Sequence, residues 1–204
     1  MLAVLALIST QVLAQSAVLR FGTSTPLENI NSNLNTDETA VDRINYCTED
    51  AVRVTVNDIQ NLLAQGQSVE ELCTENITSL RLIFSKYSHF NQDISNWDVS
   101  NVTDFSRTFW GARDFNQDLS KWDTSSATDM SYMFYNANSF NSNINSWNTS
   151  NVENMTFLFY MASSFNQDLD QWDTSKVKNM RALFYNAPAF NGDISTWDTS
   201  QVTT

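Results

Sequence analysis

The side chains with the most obvious chemical capacity are carboxylates held at a fixed spacing. Asp93, Asp118, Asp168 and Asp193 share one register and Asp98, Asp123, Asp173 and Asp198 a second, all at multiples of 25 residues. Carboxylates stacked at a strand spacing of about 4.8 Å repel by roughly 1 kcal/mol per neighbour even in water. A Ca2+ ion would relieve that repulsion. Asn143 and Asn148 interrupt both rows, however, and no Gly-rich calcium loop accompanies them, so the simpler reading is turn capping by Asx side chains. A carboxylate pair could also act as the proton donor and base of a glycoside hydrolase. Acids repeated in equivalent settings lack the unequal environments that separate those two roles. His89 is the single histidine, solvated in a Ser- and Lys-containing turn, so Ser-His-Asp, Cys-His and multi-His metal chemistry lack material. The expectation is a non-enzymatic protein with no cofactor and no metal site. A solenoid enzyme acting on polysaccharide and a Ca2+-stabilised surface protein are the alternatives.

Binding chemistry has more to draw on. Trp110, Tyr135, Tyr160 and Tyr185 each directly follow a phenylalanine. Neighbouring residues on a helical turn cannot both face the core, so this row is expected to be partly exposed and to contact a ligand. Packing of the row against the next coil is the competing reading. The net charge of -12 repels nucleic acid and anionic membranes, and favours neutral glycans or basic proteins as partners. Asn76, Asn101, Asn148 and Asn154 head N-x-S/T sequons, which become glycan sites if the host is a eukaryote.

These residues are positioned by an internal repeat. Five stretches starting at Phe90, Phe115, Phe140, Phe165 and Phe190 follow one 25-residue pattern without insertion. Phe, Trp, Ile or Leu, a second Phe and Ala recur at fixed offsets, Asn recurs at 91, 116, 141, 166 and 191, and a degraded coil precedes them from residue 76. Stacked coils set like side chains on like, each buried aromatic contributing on the order of 2–3 kcal/mol. The expected fold is a repeat solenoid, leucine-rich-repeat-like. In each coil a short parallel strand near Asp93–Trp97, a turn, an extended piece to Asp104 and a helical turn through Trp110–Gly111 are expected, with the Asn column buried between coils. The last coil stops at Thr204 without a capping motif and reads as part of a longer array.

Upstream, the division is a signal peptide at 1–14, a linker at 15–41 and an N-terminal cap at 42–75. The cap has a strand-like alternation at Val52–Val56 and a helix opening at Asn57-Asp58, running through Ala64 and ended by Gly66. Cys47 and Cys73 are expected to form a disulfide once the chain is exported, worth roughly 3 kcal/mol in the chain-entropy treatment. No segment after the leader is long enough and apolar enough to cross a membrane.

The motif F-N-Q-D-[IL]-S-x-W-D-T-S, followed by V-x-x-M-x-x-[ML]-F-Y-x-A, resembles the BspA-like family of leucine-rich-repeat surface proteins over residues 76–204. The resemblance implies a secreted or cell-surface protein used in adhesion or in binding an extracellular protein or glycan, with no catalytic residues to carry over. Asn143 and Asn148 depart from the pattern, and no lipid-acceptor cysteine follows the leader.

Overall fold

The computed structural model describes residues 47–48 and 51–204, all of which belong to the second of two units, 1–43 and 44–204. The leader at 1–14, the linker at 15–41 and the first residues of the cap at 42–46 lie outside the described residues.

From residue 79 onward each coil lies against the next in one constant 25-residue register. Parallel bridges join Ser79 to Asp104, Asp104 to Asp129, Asp129 to Asn154 and Asn154 to Asn179. The interior is a set of aromatic columns. Phe84, Phe109, Phe134, Phe159 and Phe184 stack at centroid spacings of 5.3 to 5.6 Å. Phe90, Phe115, Phe140, Phe165 and Phe190 stack at 5.8 to 6.1 Å. Within each coil the two columns interleave, with rings 3.8 to 4.0 Å apart. Stacked pairs of this kind add about 0.5–1.5 kcal/mol beyond area burial.

The tryptophan column solves a satisfaction problem as well as a packing one. A buried indole N–H must find an acceptor. Each Nε1 donates to the carbonyl 28 residues earlier, from Trp97 to Val69 (2.9 Å), Trp122 to Ile94 (3.0 Å), Trp147 to Leu119 (2.8 Å), Trp172 to Ile144 (3.0 Å) and Trp197 to Leu169 (2.8 Å). Buried threonines stitch in the other direction. The hydroxyls of Thr74, Thr124, Thr149 and Thr174 donate to the carbonyls of Asp98, Asn148, Asp173 and Asp198 at 2.9 to 3.0 Å.

Three local expectations are replaced. Residues 93–97 and their equivalents form no strand; the parallel bridges between the 25-residue coils fall at the Asp104 position, at the end of the piece read as merely extended. At 91–97 the side chains of Asn91 and Trp122 occupy the backbone partners that a strand ladder would use. The asparagine column is exposed rather than buried. It still runs coil to coil, because the Oδ1 of Asn91, Asn116, Asn141 and Asn166 accepts the backbone N–H of the next asparagine at 2.7 to 2.9 Å. The segment 105–112 is a succession of tight turns rather than a helical turn. There the N–H groups of Phe105, Arg107, Phe109 and Gly111 donate to Asp129, Ser131, Met133 and Tyr135 of the next coil at 2.8 to 2.9 Å, while those of Thr108, Trp110 and Ala112 close turns onto the residue three before. A helix would keep all these donors inside the coil. Sharing them alternately satisfies the backbone and welds the coils together.

Among the described residues of the cap there is one helix, α1, Val56–Ala64. It begins earlier than Asn57-Asp58 suggested, because Thr55 is the N-cap and makes a reciprocal capping box with Asp58. At the other end Gly66, at φ +67, lets its N–H reach Leu63 and that of Gln67 reach Leu62, a Schellman closure. Ile59 and Leu63 are buried. The stretch at Val52–Val56 contributes a single parallel bridge, Arg53 to Cys73, rather than a strand. A disulfide joins Cys47 to Cys73, with Cα atoms 4.8 Å apart. The coil register already holds inside the segment read as cap. The carbonyl of Val69 accepts from Trp97 as that of Ile94 does from Trp122, and the hydroxyl of Thr74 donates as that of Thr124 does.

Candidate functional site: an outer aromatic face

The tight-turn segment builds two columns of side chains outside the core. One is Trp110, Tyr135, Tyr160 and Tyr185, next in sequence to the buried phenylalanines. Trp110 is 40% and Tyr185 63% exposed. Tyr135 and Tyr160 are half-buried. The rings run coil to coil at 5.8 Å (Trp110 to Tyr135, edge-on), 4.6 Å (Tyr135 to Tyr160) and 5.2 Å (Tyr160 to Tyr185). The last two pairs are within 12° of parallel, so these rings cover one another's faces and offer their edges to solvent.

The second column is Leu82, Arg107, Tyr132, Phe157 and Ala182. Every one sits at positive φ, between +50 and +61. For a bulky residue that conformation costs about 1–2 kcal/mol. It is held in place by coil-to-coil bonds such as Tyr132 N–H to Thr156 O and Phe157 N–H to Arg181 O, both 2.9 Å. Tyr132 stacks on Phe157 at 4.9 Å and leans on Tyr135 at 5.9 Å, while Phe157 meets Tyr160 at 5.3 Å. The two columns therefore merge into one aromatic face. The guanidinium of Arg107 lies over Tyr132 at 4.5 Å and over Trp110 at 5.8 Å, and that of Arg181 over Phe157 at 5.7 Å. Sequence reading missed the second column because its residue type changes from coil to coil, leaving no ladder to see. The available signal was its fixed offset, three residues before the first column.

The aspartate rows have a structural occupation. Asp93, Asp118 and Asp193 accept the backbone N–H two residues on, at 2.8 to 2.9 Å, as do Asp98, Asp123, Asp173 and Asp198 at 2.8 to 3.0 Å. Asn143 and Asn148 make the same turn with their amide oxygens. Asp168 instead accepts the N–H of Asp193 in the next coil. Backbone and side-chain bonds from Ser95 and Ser195 hold Asp93 and Asp193 below the ordinary carboxylate range. Those from Ser175 and Ser200 do the same for Asp173 and Asp198. For Asp198 repulsion from Asp173 pushes the other way and is outweighed by the serine bonds. In these four turns the serine donors stabilise the charged carboxylate. A third acceptor row, Asp104, Asp129 and Asn154, caps Ser106, Ser131 and Thr156 in the same manner at 2.7 to 3.1 Å.

The other singled-out residues lie apart from this face. Exposed His89 meets Asp114 of the next coil at 2.7 Å. Among the sequon asparagines Asn76, Asn101 and Asn148 are exposed and Asn154 is half-buried. The Asn101 amide already donates to Glu75 O at 2.8 Å, and that of Asn154 to Asp129 Oδ2 at 3.4 Å. Among the described residues no helix is long and apolar enough to cross a membrane. One cavity of about 240 Å³, lined by Arg53–Val56 and Asn76–Ser79, lies where the cap meets the first coil.

No curated protein and no solved structure matches the chain. The family described as Mycoplasma protein of unknown function, DUF285, matches residues 51–161 and again 119–204. Two overlapping matches are what a tandem repeat produces when one family unit can be laid on it in more than one register. Together they span the cap helix and every coil, and the chain belongs to this family.

Proposed function

We propose that the chain is a secreted or cell-surface interaction module, a leucine-rich-repeat-like solenoid whose ligand-contacting surface is the outer aromatic face. One observation carries the reading. Two columns of aromatic rings are kept outside the core, beside a backbone that is left-handed at Arg107, Tyr132 and Phe157. The left-handed turn sets these side chains outside the core, where aromatic types suit contact with a ligand. Rigid amphipathic rings spaced once per coil give several modest contacts that add through multivalency. The Cys47–Cys73 disulfide supports an oxidising, extracellular setting. The occupation of the aspartates by turn donors speaks against the polysaccharide-cleaving and Ca2+-stabilised alternatives.

The test is binding of the full chain to an array of extracellular proteins and of neutral and charged glycans. The double change Tyr135→Ala/Tyr160→Ala is expected to weaken the strongest signal about tenfold while lowering the melting temperature by only a few degrees. If the double change unfolds the array, the row is core, and the ligand surface lies elsewhere.

A further inference from the structure

We infer that the outer aromatic face takes an extended anionic polysaccharide, one whose sugars carry carboxylate or sulfate groups. The inference rests on the outer-face reading and narrows its ligand. A net charge of -12 directs the whole chain toward neutral or basic partners, but the charge is unevenly placed. The five turn segments 80–89, 105–114, 130–139, 155–164 and 180–189 hold Arg81, Lys86, Arg107, Arg113 and Arg181 against one carboxylate, Asp114. That carboxylate is engaged by His89. The intervening stretches from residue 90 onward hold twelve carboxylates against three lysines, Lys121, Lys176 and Lys178. Two of these cations, Arg107 and Arg181, lie over rings of the aromatic face, within a chain that is otherwise anionic.

The kind of anion follows from the groups present. Four of the five cations are arginines, whose planar fork matches carboxylate and sulfate in a two-bond contact. Arg107 and Arg181 are held over rings, which limits the entropy lost on binding and leaves their in-plane donors for a ligand. The polymer form follows from the spacing. Ring edges recur at 4.6 to 5.8 Å along the row, a spacing of the same order as one sugar in an extended chain. Because the tyrosine faces cover one another, the row offers ring edges and phenol oxygens to sugar hydroxyls rather than flat platforms. An acidic protein would supply the charge without this regular period.

The full chain is titrated with dextran sulfate, unsubstituted dextran and poly-glutamate, in low salt and at about 0.15 M salt, where charges are screened beyond roughly 8 Å. Dextran sulfate is expected to bind at least about tenfold more tightly than dextran, with affinity falling as salt is added. Arg107→Gln/Arg113→Gln is expected to remove about tenfold of that affinity, and the single exposed change Arg113→Gln a smaller part of it. Lys176→Gln/Lys178→Gln, an equal change of charge on the other stretches, should leave it unaltered. Equal binding of both dextrans, an equal loss in the lysine variant, or preference for poly-glutamate would overturn the inference. Binding of dextran or an array protein that depends on Tyr135 and Tyr160 but ignores sulfate would overturn it while leaving the outer-face reading intact. Sulfate binding that responds to the arginines but not to the tyrosines would overturn both.

Discussion

At the scale of single residues the coil is held by side chains that stand in for backbone. The indole of Trp147, the hydroxyl of Thr149 and the amide of Asn141 each bond a main-chain group of the next or previous coil. The aspartates act within their own turns. Since the serine bonds lower the pKa of Asp93, Asp173, Asp193 and Asp198 in the folded state, their contribution to stability is present above the unfolded aspartate value near 3.9. It is lost as pH falls through the lower folded values. Melting curves recorded from pH 7 downward should therefore be flat at first and decline below about pH 4. Asp173→Asn keeps the turn acceptor, as Asn148 does one coil earlier, so the pH 7 melting temperature should hardly move while the acid decline becomes shallower. A large drop at pH 7 that added Ca2+ modulates would show that the carboxylate charge itself is required, as in a cation site.

At the scale of the element, the tight-turn segment has two left-handed residues in each of the four coils from Arg107 to Asn186. The second falls at Gly111, Asn136, Met161 and Asn186, with φ between +56 and +75. Glycine and asparagine suit that conformation and methionine does not. A Cβ at Gly111 would meet no neighbouring atom, so the cost of Gly111→Ala is conformational alone, about 1 kcal/mol. Met161→Asn is expected to change stability in the opposite sense by somewhat less, offset by the half-buried side chain it removes. Urea denaturation of the two variants checks both signs. Equal stability of Gly111→Ala and the parent would mean that the segment tolerates a right-handed residue there, contrary to the alternating hydrogen-bond pattern.

At the scale of the whole described unit, stability is a chain of nearest-neighbour contacts, coil on coil, closed at one end by α1 and the disulfide. Cross-linking residues 26 positions apart should contribute roughly 3 kcal/mol by restricting the unfolded chain. Reduction, or Cys47→Ser/Cys73→Ser, should act locally first. Amides of α1 would lose hydrogen-exchange protection while those of the central coils, Phe115 to Phe165, keep theirs. Loss of protection in cap and coils together would show that the disulfide supports the array as one cooperative body.

The sequence alone determined the period, the columns and the cysteine pair. These depend on residue type, and the core columns repeat the same or a similar type every 25 positions, so burial of like on like follows directly from the pattern of Phe90, Trp97 and Phe109. The Asx-turn reading of the aspartates was legible for the same reason, as a side-chain preference acting over two residues. Only the tertiary structure decided where the backbone hydrogen bonds go. Main-chain donors are the same at every residue, so nothing in the letters says that Arg107 bonds forward to Ser131 while Trp110 turns back to Arg107. That choice placed the parallel pairing at Asp104 rather than at Asp93–Trp97 and replaced the helical turn by alternating turns. It also brought Tyr132 and Phe157, whose types do not repeat, onto the same face as Tyr135 and Tyr160. A column outside the core can change residue type more readily than a buried one, because solvent imposes less shape on it than close packing does.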